Sequence, residues 1–197
     1  NATNMFRQCT SLTSITCDLD TSKMTLMNLM FMNCSKLHTL DVSNWNIEKV
    51  TSIQSIFYGC GKLTSLDLSN WNTSQIKTMN STFYGCGSLK TLDLSGWTTN
   101  QVTDMNSMFE KCASLTEITG LNNWSVGQVN SMNAMFNSCS NLISLDLSGF
   151  NTSNLIDASY MFQDCNNLAN VTIPKNVAGL LAMLLASAYV LFRRKKA

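Results

Sequence analysis

The sequence holds a single histidine and a single proline in 197 residues, and only 13% of it is charged. A lone histidine argues against a His-based catalytic centre or a His-rich metal site. No C-x-x-C pair occurs, although zinc sites draw their thiolates in such close pairs. A basic stripe is missing as well. Arg193, Arg194, Lys195 and Lys196 supply four of the thirteen basic residues, so the body carries nine against twelve acidic ones. A body that is net negative argues against a nucleic-acid partner. Long apolar runs are confined to one place, the C-terminal end.

What is present is a repeat. Hydrophobic residues make up 45% of the chain, enough for a core, and Ser, Thr and Asn dominate the polar remainder. Of the eight cysteines, Cys9, Cys34, Cys60, Cys86, Cys112, Cys139 and Cys165 recur at intervals of 25, 26, 26, 26, 27 and 26, each three residues after a phenylalanine. Self-similarity at this period is the signature of a stacked array. The best-formed unit runs from Leu63 through Leu66-Asp67-Leu68-Ser69-Asn70-Trp71 to Ile76, Met79, Phe83 and Cys86. The same frame starts at Leu12, Leu37, Leu89, Leu115 and Leu142, with a partial unit from Leu168. The unit from Leu115 is the least regular, with Gly120 as an extra residue and Thr119 in place of the aspartate. Cys17, the eighth cysteine, takes the place that Leu68 holds in the reference unit. Cysteines at repeat positions are expected to be small buried hydrophobes. Stacking would bring them within disulfide range, so cross-coil bridges are allowed but not required.

Each unit divides in two. Leu66-Asp67-Leu68-Ser69 alternates apolar and polar residues, the pattern of a half-buried strand. From Ile76 to Cys86 the apolar positions lie three and four apart, which predicts a short helix or 3₁₀ turn. Neither piece can bury its apolar face alone, so the units are expected to stack into a solenoid with a continuous core. Trp45, Trp71, Trp97, Trp124 and Phe150 form one expected core column, and Met79, Met105, Met132 and Ala158 another.

These residues resemble a known family. The run M-x-x-M-F-x-x-C-x-x-L-x-x-L-D-L-S-x-W-N-T-S-x-V is similar to the leucine-rich-repeat-like units of BspA-type bacterial surface proteins, and more narrowly to the variant found in mycoplasma lipoproteins and Gram-positive surface proteins. The resemblance covers about residues 2–173. It implies a surface-exposed curved solenoid linked to adhesion or host interaction, and it carries over no catalytic residue.

The C-terminal end reads differently. Pro174 ends the repeats, and Val177 to Phe192 is a run of sixteen residues without charge. The basic cluster Arg193–Lys196 follows it, as on the cytoplasmic side of a membrane span. The predicted organisation is a solenoid of about seven coils over 1–173, a junction at 174–176, a transmembrane helix over 177–192 and a basic cytoplasmic tail at 193–197. The layout also resembles a Gram-positive cell-wall sorting signal, but Ile173-Pro174-Lys175-Asn176-Val177 lacks the Thr-Gly at which the transpeptidase cuts. Cell-surface location with extracellular repeats is expected, either membrane-anchored or wall-linked. An outward-facing anchored protein needs an export signal, and none is seen, so the sequence is expected to be the C-terminal part of a longer protein.

Strand alternation selects the candidate site. With Leu66 and Leu68 inward, Ser65, Asp67 and Ser69 face outward. Asp41, Thr91, Asp93, Ser95 and Asp146 occupy equivalent places, giving a sheet face striped with carboxylates and interrupted at Thr119. One reading is a recognition face for a cationic or hydroxyl-rich partner, such as a protein or glycan on a host or neighbouring cell. The other is that aspartate serves solubility and turn hydrogen bonding. No enzyme activity and no cofactor are expected: His38 has no unique carboxylate or cysteine beside it that the repeat does not explain. The rival to an adhesion module is a passive membrane-proximal spacer, for which seven coils would give a rod of roughly 30 Å.

Overall fold

The computed structural model describes residues 1–15 and 19–174. The repeats stack as a series of parallel turns of chain, numbered here from the leucines that open them: first coil from Leu12, second from Leu37, third from Leu63, fourth from Leu89, fifth from Leu115, sixth from Leu142 and seventh from Leu168.

The strands are short: β1 Ser14–Ile15, β2 Thr39–Leu40, β3 Thr91–Asp93, β4 Glu117–Thr119, β5 Ser144–Asp146 and β6 Asn170–Thr172. They pair in parallel as β1–β2, β3–β4 and β5–β6, with Leu92 opposite Ile118 and Leu145 opposite Val171. The expected single sheet face is therefore three two-stranded patches. The third coil has the same alternation at Leu66-Asp67-Leu68 but forms no strand, and Leu66 is only half-buried. A second parallel ladder is more continuous, running through Leu26, Ser52, Thr78, Asp104, Ser131 and Asp157 in six successive coils.

Two parts of the expected fold class are corrected. The segment with apolar residues three and four apart is not helical. It is a train of turns in which backbone N–H groups alternate between two acceptors. In the second coil, Ile56, Tyr58 and Cys60 donate to the carbonyls of Ile53, Ser55 and Phe57, while Ser55, Phe57 and Gly59 donate to Asn80, Thr82 and Tyr84 of the next coil. An α-helix would keep these N–H groups inside the segment and leave the neighbouring coil unbonded. Two left-handed residues per coil make the alternation possible: Ser55 and Gly59 (φ +53° and +71°), Ser81 and Gly85 (+53° and +69°), Ser107 and Lys111 (+53° and +62°), Ala134 and Ser138 (+53° and +60°). A right-handed helix cannot pass through such residues.

The second correction concerns the membrane span. No helix among the described residues is long and apolar enough to cross a membrane. The one helix they contain is a 3₁₀ turn at Leu121–Asn123. The predicted transmembrane helix over 177–192 and the basic residues Arg193, Arg194, Lys195 and Lys196 lie outside the described residues, as does Cys17. The fold described is a solenoid of strands and turns.

Its core follows the predicted columns. Trp71, Trp97, Trp124, Phe150, Met79, Met105, Met132 and Ala158 are all buried. The indoles stack in register, 6.3 Å from Trp45 to Trp71, 6.1 Å to Trp97 and 6.4 Å to Trp124. A phenylalanine ladder runs beside them from Phe6 to Phe162, and Phe57 meets Trp71 at 6.1 Å. Cysteine lines the same core. Cys34, Cys60, Cys86, Cys112, Cys139 and Cys165 are buried, whereas Cys9 is exposed, and no disulfide joins the described cysteines. Each buried thiol donates to a phenylalanine carbonyl one coil back, Cys60 to Phe31 and Cys86 to Phe57 at 3.2 Å. The small side chain thus fills the column and satisfies a backbone acceptor.

The extra residue of the fifth coil has a visible effect. Gly120 is left-handed (φ +88°), and a Cβ on it would lie 2.4 Å from the Ser95 backbone. The insertion pushes Leu121–Asn123 into the 3₁₀ turn, whose Asn122 carbonyl presses on Gly149 of the next coil.

Candidate functional site

Asp41, Asp67, Asp93 and Asp146 are all exposed on the strand face, as their alternation with buried neighbours predicts. Each sits where the strand turns away, and each is held by the serine two residues on. Asp41 Oδ1 accepts from the Ser43 backbone N–H at 3.0 Å and from the Ser43 hydroxyl at 2.6 Å. Asp67 does the same with Ser69 (3.1 and 2.7 Å) and Asp93 with Ser95 (3.0 and 2.6 Å). Asp146 accepts from the Ser148 N–H at 3.0 Å. Such local turns are the habitual use of aspartate at strand ends.

These bonds set the electrostatics. The serine hydroxyl first, and its backbone N–H second, hold the carboxyls of Asp41, Asp67 and Asp93 below the usual aspartate range. Asp146 is lowered for the same reason. At Asp67 the neighbouring Asp41 pulls slightly the other way. Four ionised groups therefore stand on one side of the stack, each with Oδ1 committed to its own turn. Of the other predicted residues, Ser69 and Ser95 are turned onto the aspartates, while Ser65 and Thr91 are exposed.

The interruption at Thr119 is partly bridged. Its hydroxyl donates to Asp93 Oδ1 at 2.8 Å, tying the fourth coil to the fifth. Glu117, opposite Thr91 in the β3–β4 register, adds an exposed carboxylate that the aspartate frame did not include. Its signal was its place two residues before Thr119, the outward position of the same alternation.

The second ladder carries a polar network that the repeat frame did not single out. Asn80 donates to Asp104 Oδ2 at 3.2 Å, Asn133 to Asp157 Oδ2 at 3.1 Å, and the Asn133 N–H to Asn106 Oδ1 at 2.9 Å. On the turn train, Tyr58 and Tyr84 stack at 4.2 Å, and Lys111 lies 4.9 Å from the centre of the Tyr84 ring. Both sets join successive coils. Among the described residues no three His, Cys, Asp or Glu side chains are grouped to hold a metal ion.

Comparison with known proteins places this geometry. A leucine-rich repeat protein from Bacteroides ovatus, known from its crystal structure, is similar at 26% identity with a TM-score of 0.63, over 87% of this chain and 40% of that one. The chain thus spans well under half of that protein's length. No curated protein matches the sequence. The family described as Mycoplasma protein of unknown function, DUF285, matches residues 1–119 and 90–183. With the leucine-rich-repeat-like stack in place beneath it, this coverage of nearly all the repeats means that the chain belongs to the DUF285 family.

Proposed function

We propose that this chain is a recognition module of an extracellular surface protein, one that mediates adhesion by binding a protein or glycan of a host or neighbouring cell. The observation that carries the reading is the row of ionised, exposed carboxylates at Asp41, Asp67, Asp93 and Asp146, fixed in direction by their serines. A solenoid face with three anionic groups on successive coils and a fourth beyond the Thr119 gap suits an extended partner bearing basic or hydroxyl groups. The finer kinship with the surface-protein variant of the repeat belongs to the same proposal. A specific observation favours a second reading: every Oδ1 is engaged in its own turn, which is what a passive spacer would also need.

The test is binding of the full chain to host cells, matrix proteins and glycans, compared with a variant carrying Asn at positions 41, 67, 93 and 146. Asparagine keeps the Oδ1 acceptor and the turn but removes the charge. Saturable binding that the variant loses supports recognition through this face. Absence of binding by both folded proteins overturns it in favour of the spacer.

A further inference from the structure

Where the chain leaves the strand face, a groove opens between the second and third coils. It consists of two adjoining depressions of about 470 and 410 Å³ that share Glu48 and Asn72. Asn44, Asn46, Asn70 and Gln75 complete the part that matters here. All six residues are exposed, and the large apolar neighbours Trp45 and Ile47 have their side chains in the core.

The amides in this groove are oriented in advance. Asn46 Oδ1 accepts from the Glu48 N–H at 3.0 Å, and Asn72 Oδ1 from the Ser74 N–H at 3.1 Å. These bonds fix the two side-chain planes one coil apart, about 4.8 Å, and leave each Nδ2 group as an uncommitted donor. Asn70 is fixed the other way round: its Nδ2 donates across the coils to the Ser43 carbonyl at 3.1 Å, leaving Oδ1 as an acceptor. Two donors and an acceptor thus line one groove, each on a side chain already held by one hydrogen bond, which lowers the ordering cost of binding.

At two other junctions the same gap is bridged. Between the third and fourth coils Gln101 Nε2 crosses the same gap to the Ser74 carbonyl at 3.0 Å, and between the fifth and sixth Asn154 Nδ2 crosses to the Gly127 carbonyl at 2.6 Å. Gln75 holds the equivalent place in the third coil and makes no such bond, so the gap stays open.

We propose that this groove binds a neutral, hydroxyl-rich chain, an oligosaccharide, laid across the second and third coils. Its charged lining is Glu48 and the adjacent Lys49, which offset each other, so it does not select an ionic ligand. It offers no exposed apolar anchor for a peptide side chain. A pyranose presents donors and acceptors on vicinal hydroxyls, and saccharide units repeat at nearly the coil spacing. The site is distinct from the aspartate row and does not depend on it.

Side-chain amide resonances of the full chain are to be followed by NMR during titration with maltohexaose, cellohexaose and mannohexaose. The expected result is saturable shifts concentrated on the Nδ2 groups of Asn46 and Asn72 with at least one of these sugars. Asn46→Asp and Asn72→Asp then test the assignment, because Asp20 makes the same turn in the first coil, accepting from the Ser22 N–H at 3.0 Å. The turn survives and the donor is lost, so binding should weaken by about tenfold for each. Thermal unfolding checks that the fold is kept. The quadruple Asn variant of the aspartate row should bind the sugar unchanged. No shift at these amides with any of the three sugars, or equal binding by the two Asp variants, overturns the proposal.

Discussion

Gly149 lies directly against Asn122, and a Cβ built on it would stand 2.0 Å from the Asn122 carbonyl oxygen. That oxygen belongs to the backbone of the 3₁₀ turn and cannot swing aside as a side chain would. Gly149→Ala should therefore cost roughly 1–3 kcal/mol through overpacking. Gly120→Ala should cost more, since it adds a left-handed backbone to a 2.4 Å clash with Ser95. Gly85→Ala meets nothing closer than 3.6 Å and carries only the cost of its φ of +69°, about 1–2 kcal/mol. Urea melts should rank the losses Gly120→Ala first, Gly149→Ala second and Gly85→Ala last.

Trp71 is stacked on both sides and its indole Nε1 donates to the Val42 carbonyl at 3.1 Å. Trp71→Ala removes three ring contacts, with Trp45, Trp97 and Phe57, a hydrogen bond and a large volume from the middle of the column. The expected loss is about 3–5 kcal/mol, read as a lower midpoint in chemical denaturation. An unchanged midpoint would show that the aromatic column does not hold the coils together.

The cysteine ladder gives the fold an alkaline limit. Burial pushes the Cys34 thiol up to about 11 and the Cys60 thiol to about 12, and Cys86 also lies well above its ordinary value of 9.0. A thiol whose folded pKa is raised favours folding below the unfolded value, and that contribution is lost as pH rises from 9 through the folded pKa. The melting temperature should fall above about pH 9, less steeply in Cys60→Ala and Cys86→Ala. In a Cys17→Ser background at neutral pH, a thiol reagent should modify Cys9 quickly and the six buried cysteines only on unfolding.

The aspartates set an acid limit of the opposite sign. Their serine bonds hold Asp41, Asp67 and Asp93 below the ordinary 3.8. Their contribution is present above that value and is lost as pH falls through the lower folded pKa. Thermal stability should decline below about pH 4. Asp93→Asn should flatten that decline, because the acceptor stays and the titration is removed.

The repeat, its columns and the outward aspartates were legible because each depends on side-chain type at a fixed period. Leu66-Asp67-Leu68 shows the limit of that reading. It has the same alternation as Leu92-Asp93-Leu94, yet only there do the first two residues, Leu92 and Asp93, lie in a strand with a bonded neighbour. The turn train was hidden for a related reason. Apolar residues three and four apart satisfy a helix and a chain of turns alike, and the backbone sign that separates them is carried by glycine at Gly59 and Gly85 but by Ser55, Ser81, Ser107 and Ala134 elsewhere. The groove was illegible because it depends on Gln75 not making the bond that Gln101 makes, a difference of contact between chemically identical side chains.

The turn train also bears on how such a chain changes over generations. Hydrogen bonds that leave one coil land on the equivalent atoms of the next, so most junctions are interchangeable. Loss or duplication of a whole repeat there would rejoin matching edges and alter only reach. The fifth coil is an exception. Its inserted glycine fits over Ser95 and its bulge needs Gly149 above, so those three coils are inherited together. Variation in array length should accordingly spare this block and accumulate on either side of it.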